Sequence, residues 1–199
     1  MLKQILITVT ITALIWMAGP SVLAGVPQTI KPANGDLGSG AANSVGCWYP
    51  GGIGGTWLAV GNPNELNRND RVIIRFDISP FIVKGRIRQA VLKFKMEPFT
   101  KGETFQLEHF TVERVALSGN DLISTATEAV KDFTVRTGTP SGTELAFVVT
   151  ALVNRDLSIG FGGSTFRLKS LTVEKVGNPE NKPSGISVVK DSIRLEIME

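Results

Sequence analysis

The sequence predicts an all-β fold, an antiparallel β-sandwich, and two observations lead to that class. The first is alternation. Along residues 69–79, Val72, Ile74, Phe76 and Ile78 share one parity, while Arg71, Ile73, Arg75 and Asp77 share the other. A strand with one buried face has this period of two. Residues 87–96 repeat it, with Ala90, Leu92, Phe94 and Met96 on one side and Gln89, Val91, Lys93 and Lys95 on the other. The second observation is spacing: short alternating segments recur at roughly 8 to 12 residues with turn chemistry between them, as in sandwiches and not in βαβ folds.

The elements follow in chain order. Residues 1–24 carry Lys3, an uncharged apolar run and the small-residue stretch Ser21-Val22-Leu23-Ala24, which together predict a signal peptide and export. No later run is long enough to span a bilayer as a helix. Removing the leader takes away Lys3 and no acid, leaving 20 basic and 18 acidic side chains. So even a balance offers little general attraction for phosphate, and no nucleic-acid partner is expected. Residues 25–55 are rich in Gly, Pro, Asn, Ser and Ala and predict a loop over the sandwich or a flexible arm. Cys47 is the only cysteine, so no internal disulfide forms. A buried or idle thiol and an intermolecular bridge are its two readings.

The sandwich domain is expected over residues 56–199. Its strands begin with Thr56-Trp57-Leu58-Ala59-Val60, then the two alternating segments above. A strand from Glu103 toward Val115 follows, in which Phe105 and Leu107 differ in parity from Phe110 and Val112, predicting a β-bulge near His109. Phe133 and Val135, and Leu145, Phe147 and Val149, mark two more. One short helix is expected near 150–154, where the Thr150 hydroxyl precedes Ala151-Leu152-Val153 and is suited to cap it. Further strands are marked by Phe166 and Leu168, Leu171 and Val173, Ile186 and Val188, and Ile193, Leu195 and Ile197.

Several of these runs together resemble a known family. Trp57-Leu58-Ala59-Val60-Gly61, Arg75-Phe76-Asp77-Ile78-Ser79, and Ile87 with Ala90-Val91-Leu92-Lys93-Phe94 resemble the first half of the secreted bacterial DNRLRE domains, grouped with carbohydrate-binding module family 96. Residues 147–153, Gly160-Phe161, Phe166-Arg167-Leu168 and Ile193-Arg194-Leu195-Glu196-Ile197 resemble the second half, although the position before the helix, often Asp there, is Val149 here. The resemblance spans about residues 56–198. It implies a jelly-roll sandwich, an extracellular location and non-catalytic attachment to polysaccharide, with acidic glycans such as alginate among family ligands.

Binding candidates come from the residues themselves. Arg71, Arg75, Lys93 and Lys95 share the outward parity of two consecutive strands. If those strands are neighbours, they form a basic face suited to carboxylate or sulfate groups. The alternative is a solvated face in which Arg75 pairs with Asp77 or another acid. Trp48, Tyr49 and Trp57 are flat, polar-edged rings able to pack on a sugar, with Trp57 also fitting a core position. Asp36, with Asn34 and Asn43, offers oxygen ligands for a structural calcium ion, although no loop motif accompanies them. His109 is the only histidine and reads as structural, and no acid pair stands in a catalytic motif. An enzyme is therefore not expected. The leading expectation is a carbohydrate-binding protein for anionic polysaccharide. The second is a structural subunit of a cell-envelope or surface assembly, self-associating through an N-terminal arm added to a neighbour's sheet edge.

Overall fold

The computed structural model describes residues 26–42, 48–51, 57–62, 69–98, 103–172 and 184–199. The expected leader at 1–24, Asn43, Cys47 and the side chain of Trp48 lie outside the described residues. Twelve strands are described in chain order. They are β1 (Gln28–Ile30), β2 (Leu37–Ala41), β3 (Trp48–Pro50), β4 (Trp57–Asn62), β5 (Asp70–Asp77), β6 (Gln89–Pro98), β7 (Glu103–Phe110), β8 (Thr127–Val135), β9 (Thr143–Val148), β10 (Gly163–Ser170), β11 (Ser184–Val189) and β12 (Arg194–Met198). One helix, α1 (Thr150–Ser158), stands between β9 and β10.

Antiparallel pairings are nested: β7 with β8, β6 with β9, β5 with β10 and β4 with β11. Ladders between β11 and β6 and between β10 and β7 then gather these pairs into two sheets, β4-β11-β6-β9 and β5-β10-β7-β8. This is the strand order of a jelly roll, and the expected all-β sandwich is observed. β12 continues the position of β11 along β6, and β1 lies outside β12. On the other sheet β2 lies outside β5, and β3 outside β2.

The predicted parity sets the core. Val72, Ile74, Phe76 and Ile78 of the first segment and Ala90, Leu92, Phe94 and Met96 of the second are buried in one cluster with Phe105, Leu107, Phe166, Leu168, Ile186, Val188, Leu195 and Ile197. Phe94 stacks on Phe147 at 5.7 Å between centroids, and Phe147 meets Phe133 from the opposite sheet at 5.1 Å. At the end of β4, Gly61 faces Gly185 in register. Both have positive φ, 103° and 125°, and a Cβ on Gly185 would stand 2.0 Å from the Val60 carbonyl oxygen. Only glycine permits this approach. Gly61 also pairs with Asp70, bridging β4 to β5 and so closing this side of the sandwich.

The structure differs from the sequence-based expectations at four places. The described parts of the Gly-rich lead contribute strands to the sheets, with β1 on one and β2 on the other. All five residues of β2 (LGSGA) are buried, because small side chains let the strand press closely into the fold. Helix α1 extends to Ser158, its N-cap is Val149, and the Thr150 hydroxyl instead accepts the Ala90 amide at 3.0 Å. The bulge expected near His109 is present in the β7–β8 ladder, between Leu107 and Glu108, but the extra residue is not on β7. β7 runs in register with β10 from Phe105 to His109, and the shift falls on β8, where Val130 is passed over between Lys131 and Ala129. Phe110 has the opposite parity because its face is also covered, in a second small cluster with Ile73 and Leu122. Finally, β10 ends at Ser170, so Leu171 begins no strand.

Candidate functional site

The nested pairing decides what becomes of the expected basic face. Consecutive strands β5 and β6 belong to opposite sheets, so Arg71 and Arg75 face outward on one side of the sandwich and Lys93 and Lys95 on the other. Lys93 donates to Glu196 at 2.7 Å, Arg194 reaches the same carboxylate at 3.0 Å, and Arg194 also pairs with Glu144 of β9 at 2.8 Å. The hydrogen bond from Lys93, with that from Arg194, holds the Glu196 carboxyl below its ordinary value. Lys95 alone of the four stands exposed.

On the other sheet, the cationic side chains hold a loop. Arg71 donates from Nη1 to the Leu122 carbonyl. Arg167, buried, donates to the carbonyls of Asp121 (2.9 Å), Leu122 (3.1 Å) and Ser124 (2.9 Å) and to Glu108 at 2.7 Å. Lys169 also reaches Glu108, at 2.9 Å, and Arg114 lies over the Phe110 ring. Segment 111–126 is thereby pinned across β5, β10 and β7, covering the face that parity alone left to solvent.

Arg75 behaves differently, and a cleft forms around it. The side chain of β10 is missing at Gly163, where an added Cβ would come within 2.4 Å of Arg75 Nε. The guanidinium lies over this glycine and donates to Asp36 at 3.0 Å. Asp36 closes a 3-10 turn, Asn34–Asp36, just before β2. Asp77, at the end of β5, accepts from the Ser79 hydroxyl at 2.6 Å and the Ser79 amide at 3.0 Å. The hydroxyl bond, then the amide and the positive charge of Arg75, hold the Asp77 carboxyl below its ordinary value against the desolvation that opposes them. Between these groups and β1 opens a cleft of about 630 Å³, lined also by Gln28, Thr29, Ile30, Lys31 and Pro80. Its walls carry two carboxylates, two cations, an amide and hydroxyls, with Ile30 and Pro80 as apolar patches.

The structure thus brings together two residues that the sequence singled out for different reasons, Arg75 and Asp36. It separates the rest. Trp57 opens β4 with about a third of its surface exposed (37%) and is not a core residue; the core positions of that strand are Leu58 and Val60. Tyr49 sits opposite Ser39 on β3, at the margin of the other sheet, and is half-buried. Among the described residues no group of three or more His, Cys, Asp or Glu gathers at Asp36 or elsewhere. A calcium ion at Asp36 would compete with the guanidinium already there. Gln28, Thr29 and Lys31 carry no motif and were not legible as site residues. Asp77-x-Ser79 had a readable signal, the side-chain turn that Asp forms two residues on.

A second arrangement of polar side chains is buried. His109 Nε2 lies 2.8 Å from Asp156 and 3.3 Å from Ser164, while Nδ1 lies 2.7 Å from Arg155. Since a guanidinium only donates, Nδ1 is the acceptor and Nε2 bears the proton directed at Asp156. A nucleophile–base–acid relay needs the acid and the hydroxyl on different ring nitrogens; here both meet Nε2, and all three side chains are buried. The constellation ties α1 to β7 and β10.

Among the described residues no helix is long and apolar enough to cross a membrane. No protein-family model matches the chain, and a search of curated proteins finds no match.

Proposed function

We propose that this is a secreted, non-catalytic carbohydrate-binding protein that attaches to extracellular polysaccharide through the cleft at Arg75. The observation that carries the reading is the cleft itself, where donors and acceptors of Arg75, Asp36, Asp77, Gln28 and Thr29 converge beside the apolar patches of Ile30 and Pro80. A sugar ring has the matching character, with hydroxyls that donate and accept around its edge and C–H faces that pack on apolar carbon. The jelly-roll order of the strands agrees with the family resemblance seen in the sequence. The expected basic face gives the reading less support, because Lys93 and Arg71 are engaged within the fold.

Affinity electrophoresis of the purified protein through gels containing individual polysaccharides tests this. At least one is expected to retard the native protein, and Arg75→Ala and Asp36→Ala are expected to abolish that retardation while leaving the far-UV circular dichroism unchanged. Retardation unaffected by both substitutions would place binding elsewhere. Sequencing of the secreted product is expected to begin at Gly25.

The structural-subunit alternative depended on a free N-terminal arm. β1 and β2 are paired within their own sheets, so donating this segment to a neighbour would require those ladders to open first.

A further inference from the structure

We infer that the cleft selects an uncharged, hydroxyl-rich sugar unit over a uronate or a sulfated one, an inference that rests on the carbohydrate-binding reading and gives it a ligand class. The sequence alone points toward anionic glycans, from the local excess of Arg and Lys and from the family resemblance. The structure places the charges differently. The cleft walls hold Arg75 and Lys31 against Asp36 and Asp77, so cations and anions balance. The most enclosed cation, Arg75, already gives Nη1 to Asp36, and its Nε is buried over Gly163 without a hydrogen-bond partner among the described residues. A ligand carboxylate approaching Arg75 would have to displace Asp36 or stand beside it, with the second carboxylate of Asp77 on the same cleft. Juxtaposed like charges oppose binding strongly in a partly desolvated site.

A hydroxyl meets no such conflict. It donates to an Asp oxygen and accepts from Arg or Lys, so neighbouring hydroxyls of one sugar ring bridge an acid and a base without changing the charge of the cleft. Elsewhere on the two sheets Lys93, Arg194, Arg71 and Arg167 have partners inside the protein. Two properties follow. Binding is insensitive to salt, because no net charge is neutralised. Removing one carboxylate shifts the selectivity toward anions.

The experiment compares native protein, Asp77→Asn and Arg75→Ala in gels containing neutral glucans, galactans or mannans and in gels containing alginate or polygalacturonate, each at low and high salt. Asn also forms the turn that Asp77 makes with Ser79, so the fold should persist; circular dichroism checks it. The native protein is expected to be retarded by a neutral polysaccharide equally at both salt levels and to bind the uronates at least about tenfold more weakly. Asp77→Asn should gain salt-sensitive retardation by uronates. Tighter, salt-sensitive binding of uronates by the native protein, lost in Arg75→Ala, overturns the ligand class and leaves the carbohydrate reading standing. Retardation by neither class overturns the carbohydrate reading and the inference with it.

Discussion

Arg167 illustrates how a cation becomes structural. It is 3% exposed, yet its guanidinium meets Glu108 and three carbonyls of segment 111–126. Removing one partner of such a buried pair leaves the other charge uncompensated, so Arg167→Ala is expected to lower stability by about 3–5 kcal/mol. Urea unfolding measures this, and a loss below about 1 kcal/mol, the level of a surface pair, would contradict it. The sequence marked Arg71 and Arg75 correctly as outward-facing, because parity on a strand is periodic. What covers an outward face is a different question. Segment 111–126 docks through its carbonyls and through Leu122, and backbone carbonyls leave no residue-type signature to read.

Helix α1 shows the same limit among the elements. Its existence was legible from residues 150–153, but its work was not. Asn154 accepts the Ile87 amide at 2.8 Å and donates to the Ile87 carbonyl at 3.0 Å, while Thr150 receives the Ala90 amide at 3.0 Å. The helix thus serves the backbone leading into β6 as a neighbouring strand would. Asn154→Ala leaves both Ile87 groups without this partner and is expected to destabilise by about 1–3 kcal/mol, with Asn154→Asp, which lacks the amide donor, also destabilising. Thermal melts of the two variants check this. β2 was missed for a complementary reason. Periodicity finds strands by their large apolar residues, and LGSGA is buried through smallness instead. The cleft inherits that blind spot, since β1 and the Asn34–Asp36 turn belong to the same lead.

The two sheets hold the molecule as a whole, and two carboxylates add a pH-dependent share. Glu196 links Lys93 to Arg194, and Asp77 is fixed by Ser79; both titrate below their ordinary values. A carboxyl whose folded value is depressed contributes stability above its unfolded value and loses that contribution as pH falls through the folded one. Stability should therefore be level near neutrality, begin to fall near about pH 4–5 and continue falling below it. Glu196→Gln should lower the neutral plateau and shallow the acid decline in urea titrations. An unchanged acid limb would exclude Glu196 as a contributor. The sandwich class itself was legible because burial of one strand face imposes alternation. Which strands adjoin was not, because the jelly roll sends consecutive strands to opposite sheets, and this separated Arg75 from Lys93.

The nesting of the pairs also orders events in time. Ile30 and Leu195 pair across nearly the whole described chain, and closing a loop costs more entropy as it lengthens, by about 0.6 kcal/mol for each doubling. Among the nested pairs the β7–β8 hairpin needs the shortest closure. Once it forms, β6 and β9 are brought near, and each pair shortens the effective loop of the pair outside it, through β5–β10 and β4–β11 to β1–β12. Folding should therefore run outward from β7–β8, with the strand beside the cleft arriving last. Pulse-labelled hydrogen exchange during refolding is expected to protect β7 and β8 amides first and β1 and β12 amides at the end; early protection of β12 would reverse that order.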